Sequence, residues 1–166
     1  MLLDYRKYSR AFAVVVLLME VMMPVAMAED DDEGSGKYMV TATNAKWKNE
    51  CSACHVAYPP NLLPAESWRA LMSGLDKHFG SDASLDAVSA REIGNFLEQN
   101  AGGAKFASWG KPVLRITETR WFRNKHDEVS QRDWNNSKVK SPANCTACHT
   151  RAESGNYSEH DVTIPN

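Results

Sequence analysis

"NECSACHVAYPP", Asn49 to Pro60, places two cysteines two residues apart and follows the second with a histidine. The pattern returns as "ANCTACHT", Ala143 to Thr150. The chain has 166 residues and four cysteines, and the two motifs use all four. Cys-x-x-Cys-His is the attachment spacing for c-type haem: both thiols can add to the vinyl groups of one porphyrin, with both sulfurs on one side of the ring. The adjacent histidine then lies beneath the iron and supplies a proximal imidazole. Cys51, Cys54 and His55 are expected to hold one haem c, and Cys145, Cys148 and His149 a second. Two other uses of four cysteines exist: a pair of disulfides in an exported chain, or an all-thiolate zinc centre. Neither gives the two histidines anything to do.

Working outward, the N-terminus reads as an export signal. Arg6, Lys7 and Arg10 form a basic start, Ala11 to Met19 a short apolar run, and Ala26 to Ala28 a small-residue cleavage site. The run is too short to span a bilayer, so any membrane association is peripheral at most. The alternative is an uncleaved anchor. Residues 1–28 are therefore expected to be removed, 29–46 to be a flexible acidic arm, and 47–166 to form one domain. The mature part would carry a net charge of −3, with −6 over 29–104, +5 over 105–140 and −2 over 141–166. No concentrated basic patch alternates with aromatics, which argues against nucleic acid as a partner. The uneven charge fits a dipolar surface that orients a docking partner.

Each iron needs, or deliberately lacks, a second axial ligand, and the supply is short. His78, His126 and His160 remain, with Met39 and Met72 the only methionines past the signal. "PAESWRALMSGLDKHFG" carries Trp68, Leu71, Met72, Leu75 and His78 at helical spacing, which predicts one amphipathic helix from after Pro64 to Gly80. "TETRWFRNKHDEV" sets Phe122, His126 and Val129 on one face, with Thr117 or Thr119 as N-cap. Each helix would carry its histidine inward, so His78 and His126 are the expected distal ligands. Each could instead be a core histidine with its ring satisfied. His160 lies in a polar tail and reads as a surface residue. Met72 reads as packing.

Elsewhere, "SLDAVSAREIGNFLEQN" has Leu85, Val88, Ile93, Phe96 and Leu97 in a helical pattern that closes at Asn100 and Gly102–Gly103. Ser141 and Pro142 predict that the second motif opens a short helix. Strand signals are weak. The expected fold is all-α: a small cytochrome c-like helical domain around two covalent haems, which supply much of an interior the chain is too short to fill.

"ECSACHVAYPPNLLPAESWRALMSGLDKHFGSDASLD", "RITETRWFRNKH" and "NCTACH" resemble the small bacterial dihaem cytochrome c family, over about Trp47 to the C-terminus. That family includes the redox partner of an oxygen-binding monohaem protein, the sphaeroides haem protein. The resemblance implies a mainly helical periplasmic electron carrier with two low-spin, low-potential haems, His55 and His149 proximal and His78 and His126 distal. Motif order leaves open which distal histidine serves which haem. A sphaeroides haem protein-like cytochrome and a membrane b-type cytochrome are the redox partners the resemblance implies.

Three functions follow from how the irons are closed. Two imidazoles at each iron leave no site for substrate and make an electron shuttle, not an enzyme. One open iron would make a small peroxidase or nitrogen-oxide reductase. A weak distal ligand displaced by a diatomic would make a gas-binding module.

Overall fold

The computed structural model describes residues 42–103, 106 and 110–166, all within the unit Glu33–Asn166. The expected signal, most of the acidic arm and Met39 lie outside the described residues. Among the described residues, five α-helices and a series of 3₁₀ turns make up the fold. Among the described residues there are no strands, only two isolated bridges, His78 with Ser81 and His149 with Val162. No helix among them is long and apolar enough to cross a membrane.

Helix α1, Ala45–Cys51, starts where the Asn44 side chain accepts a bond from the Trp47 amide at 2.8 Å. It therefore begins two residues inside the segment read as a flexible arm, and it delivers Cys51 in its last turn. Pro59 and Pro60 lead through a 3₁₀ turn, Pro60–Leu62, to helix α2, Ala65–Met72. Helix α3, Ala87–Gln99, is capped by Asp86, whose carboxylate accepts from the Val88 and Ser89 amides. Helix α2 packs on α3, and α1 on α3. Trp47, Ala57, Leu63, Trp68, Ile93 and Leu97 form the core between them. The Trp68 indole also donates to the Pro60 carbonyl at 2.6 Å, so the one polar atom of a buried ring is satisfied.

The chain then turns tightly at Gly102, whose amide bonds the Leu63 carbonyl at 2.8 Å. A Cβ there would collide with the Asn61 carbonyl oxygen, which leaves room for glycine alone. Beyond it the helices shorten. Helix α4, Arg120–Lys125, is capped by Thr119, and α5, Gln131–Trp134, by Ser130. The rest is 3₁₀ turns, at Cys145–Ala147, Ala152–Ser154 and Glu159–Asp161.

Three elements differ from the reading of the sequence. The helix expected from Pro64 to Gly80 stops at Met72. A 3₁₀ turn, Leu75–Lys77, carries on the apolar spacing, because the Ala83 amide bonds back to the Leu75 carbonyl at 2.9 Å and folds the chain over. Ser141 and Pro142 open no helix: Ser141 accepts from the Ala143 amide in a local turn, and only Cys145–Ala147 becomes helical, as 3₁₀. Val88 is 67 % exposed, so it belongs to the outer face of α3 and not to the core.

Candidate haem sites

The first motif straddles the end of α1. Cys51 closes the helix, the Ser52 amide caps it through the Lys48 carbonyl, and Cys54 and His55 follow in a turn. Burial pushes the Cys51 thiol up to about 11, with Glu50 adding to the rise. The second motif is built by a 3₁₀ turn. Its Cys145 is also pushed up to about 11 by burial, and Cys148 is raised by burial in turn. None of the four cysteines is in a disulfide. Among the described residues no three His, Cys, Asp or Glu side chains converge as a metal cluster, so the two CxxC pairs do not come together as one centre.

His55 and His78 have ring centres 6.2 Å apart with planes at 25°. His126 and His149 are 6.1 Å apart with planes at 74°. An imidazole nitrogen sits about 2 Å from a first-row metal and its ring centre about 1.2 Å further out, so rings across one iron are centred about 6.4 Å apart. Both pairs match that span, and the residues fit the group. The rings that come together lie within each half: His78 is beside His55, and His126 beside His149.

Each histidine is held differently. The His55 Nδ1 bonds the Val56 carbonyl at 2.7 Å, and the His126 Nδ1 bonds the Phe122 carbonyl at 2.9 Å. A carbonyl can only accept, so both Nδ1 atoms carry the proton and both Nε2 lone pairs are free for a metal. His78 and His149 are held through their backbones, in the bridges to Ser81 and Val162. The Thr163 amide strengthens the second by bonding the Cys148 carbonyl at 3.0 Å. Burial lowers the pKa of His78, with the His55 and Arg115 charges adding to the effect. Burial likewise lowers His126, against an opposing pull from its bond to Phe122, and lowers His149 with help from His126. All three are therefore favoured as neutral imidazoles, the form that ligates.

His78 is delivered by a turn, not by a helix face. Phe79 after it sits at φ 51° and Gly80 at φ 97°, and the first is a costly conformation for a bulky side chain. The Arg115 guanidinium lies 3.9 Å over the Phe79 ring and braces it. His126 instead caps the C-terminus of α4, with Phe122 one turn earlier stacked on its ring at 4.0 Å. A cleft of about 350 Å³ opens beside it, lined by Phe122, His126, Trp134 and Pro142 with Thr117, Arg123 and Gln131. Aromatic walls and a few polar groups suit a flat, largely apolar ligand. Met72 packs against the core, and His160 is exposed.

Tyr58 escaped the reading of the sequence. It stacks on His55 at 4.6 Å and donates its hydroxyl to the Ala143 carbonyl at 2.7 Å, 85 residues away and two before Cys145. Burial, then Cys145, pushes its phenol up to about 12, so it stays a neutral donor. One side chain thus touches the surroundings of both motifs. The only local signal was an aromatic three residues past the motif histidine.

The family model "Dihaem cytochrome c" matches residues 47–157. Among solved structures, a diheme cytochrome c from Rhodobacter sphaeroides is 46 % identical, aligns over 71 % of this chain and 99 % of its own, and has a TM-score of 0.65. A second structure, of DHC purified from Rhodobacter sphaeroides, is 51 % identical over 70 % of this chain and 98 % of its own, with a TM-score of 0.61. The diheme cytochrome type c from Shewanella baltica is 43 % identical over 74 % and 94 %, with a TM-score of 0.65. None of the curated proteins matches. The class is that of a helical c-type cytochrome with two attachment motifs. This chain belongs to the dihaem cytochrome c family, carries two haem c groups and serves haem-based electron transfer as a carrier.

Proposed function

We propose that the protein is a periplasmic electron shuttle whose two haems are each closed by two histidines and held at low potential. Cys51 and Cys54 would attach the first haem, and His55 and His78 would close its iron. Cys145 and Cys148 would attach the second, closed by His149 and His126. The observation that carries this reading is the pairing of rings at 6.2 and 6.1 Å, the span of two imidazoles across one iron.

The haem iron supplies a one-electron couple. The chain's residues decide what that couple can be used for. Two imidazoles per site leave no position for substrate, and they stay in place in both oxidation states, so an electron moves with little rearrangement. Imidazole donates more strongly than thioether and so favours ferric iron. The bonds from the Nδ1 atoms of His55 and His126 to carbonyls strengthen that donation. Tyr58 bridges the motifs through a ring stack on His55 and a hydrogen bond to the Ala143 carbonyl.

Export by residues 1–28 would bring the chain to a compartment where cytochrome partners work. The partners proposed are redox proteins, a monohaem cytochrome like the sphaeroides haem protein and a membrane b-type cytochrome. The acidic first half and the basic 105–140 segment would orient them differently.

The test is the visible and EPR spectrum of the ferric holoprotein, repeated after reduction under carbon monoxide. Two low-spin signals, no methionine-to-iron charge-transfer band and no carbon monoxide shift are expected. A high-spin signal or prompt carbon monoxide binding would mean an open iron, and a haem enzyme or gas-binding module would replace the shuttle.

A further inference from the structure

The two histidine pairs are equal in spacing and unlike in rotation. His55 and His78 lie with their planes at 25°, close to aligned, whereas His126 and His149 stand at 74°, close to crossed. Rotation of an axial imidazole about its bond to iron is nearly free on its own, so neighbours must set these angles.

Phe122 grips His126 twice. Its carbonyl takes the Nδ1 proton at 2.9 Å, and its ring stacks on the imidazole at 4.0 Å with planes 19° apart. The i, i+4 spacing on and just past α4 makes both contacts possible at once. Across the site, the His149 ring is set by other neighbours: its backbone is bridged to Val162, and Tyr157 lies 5.4 Å away with planes at 50°. The two rings therefore take their directions from unrelated parts of the chain. At the first site Tyr58 stacks on His55 with planes at 19°, and His78 lies at 25° to His55.

The π orbital of an imidazole stands perpendicular to its ring and acts on one of the two iron d orbitals of matching symmetry. Aligned rings act on the same orbital, separate it from its partner and quench orbital angular momentum. Crossed rings act on one orbital each, leave the two nearly degenerate and preserve that momentum. The ferric signal of a crossed pair is then more anisotropic, with a larger maximum g value.

We infer that the two irons are electronically distinct by construction, the first with aligned and the second with crossed imidazoles, and that Phe122 is the positioning residue that keeps the second pair crossed. This rests on the bis-histidine reading above.

Low-temperature EPR of the ferric holoprotein tests it. Two low-spin signals of unequal anisotropy are expected in equal amounts. In F122L the carbonyl bond remains and the stack is lost, so the signal with the larger maximum g should shift toward the ordinary rhombic one while the other stays. F122Y keeps the ring and should keep both signals as in the native protein. Two low-spin signals of the same anisotropy would overturn the inference while leaving the ligand assignment intact. A shift of neither signal in folded F122L, or of the first site's signal alone, would overturn the role of Phe122. A high-spin signal in the native protein would defeat the bis-histidine reading itself, and this inference with it.

Discussion

The two motif-bearing halves reach similar histidine spacings by different means. Residues 45–99 fold like an ordinary small helical protein. Three helices share a core in which Ile93 and Leu97 are essentially fully buried, and the haem motif is attached to the end of one of them. Residues 116–163 have helices of six and four residues, too short to stand alone in water. Their buried apolar side chains, Phe122, Val139 and Ala152, lie outside the main core cluster. What orders them is local: the Thr119 and Ser130 caps, the Asn144 side chain bonding the Val139 carbonyl at 3.0 Å, Asn156 bonding Asp161 at 2.7 Å, and the C-terminal segment bridged to His149. A set of hydrogen bonds fixes geometry but adds little net stability, whereas apolar burial adds a great deal. The second half therefore needs a large apolar body to fold around, and its haem is that body.

The largest expected effect breaks the comparison directly. Removing both attachment thiols of the second motif, C145A/C148A, should leave the amides of residues 87–99 protected from exchange while those of 116–163 lose nearly all protection. Removing both thiols of the first motif, C51A/C54A, should cost one haem but leave helices α2 and α3 formed. Hydrogen exchange read residue by residue checks both, and equal losses in the two variants would show that the halves depend on haem alike.

A smaller effect sharpens it from the other side. Ile93 is fully buried in the core of the first half. Ile93→Ala should destabilise the holoprotein by about 2–5 kcal/mol, through lost transfer energy and the cavity left behind. The visible and EPR signature of the second haem should be unchanged below the unfolding transition. Denaturant titration followed at both haems measures the cost. A cost well under that range would mean the first half, too, rests on its porphyrin.

The same contrast governs what could be read without a structure. Attachment motifs are local, five residues each, so the presence of two haem c groups was legible from spacing alone. Helix α3 was legible for a similar reason: its apolar stripe repeats over three turns and ends at Asn100. The segment after Met72 was not, because Leu75 and His78 keep helical spacing while a backbone bond from Ala83 folds them into a 3₁₀ turn. Periodicity records which side chains face inward and not which carbonyl an amide will choose. The start at Pro142 failed likewise, since a serine that can cap a helix can also close a turn. Tyr58 lay further out of reach. Its partner is 85 residues away, and only the fold brings Ala143 to its hydroxyl.

The smallest effect separates the two halves by the chemistry of their caps. Helix α3 is capped by a carboxylate, Asp86, and α4 by a hydroxyl, Thr119. Hydrogen bonds from Ser89 and Val88, with Lys46 nearby, hold the Asp86 pKa below its usual 3.8. A group whose folded pKa is depressed stabilises the folded form above the unfolded value, and that contribution is lost as pH falls through the folded one. Acid should therefore fray the first turn of α3, with the Val88 and Ser89 amides losing protection only below about pH 3.8. The Phe122 amide is held at 3.1 Å by a hydroxyl that does not titrate in this range, so it should keep its protection through the same window. Exchange measured from pH 5 down to pH 3, corrected for the intrinsic rate, compares the two caps within one sample. Parallel loss at Val88 and Phe122 would mean that acid loosens the whole unit and that the Asp86 cap has no separate part in it.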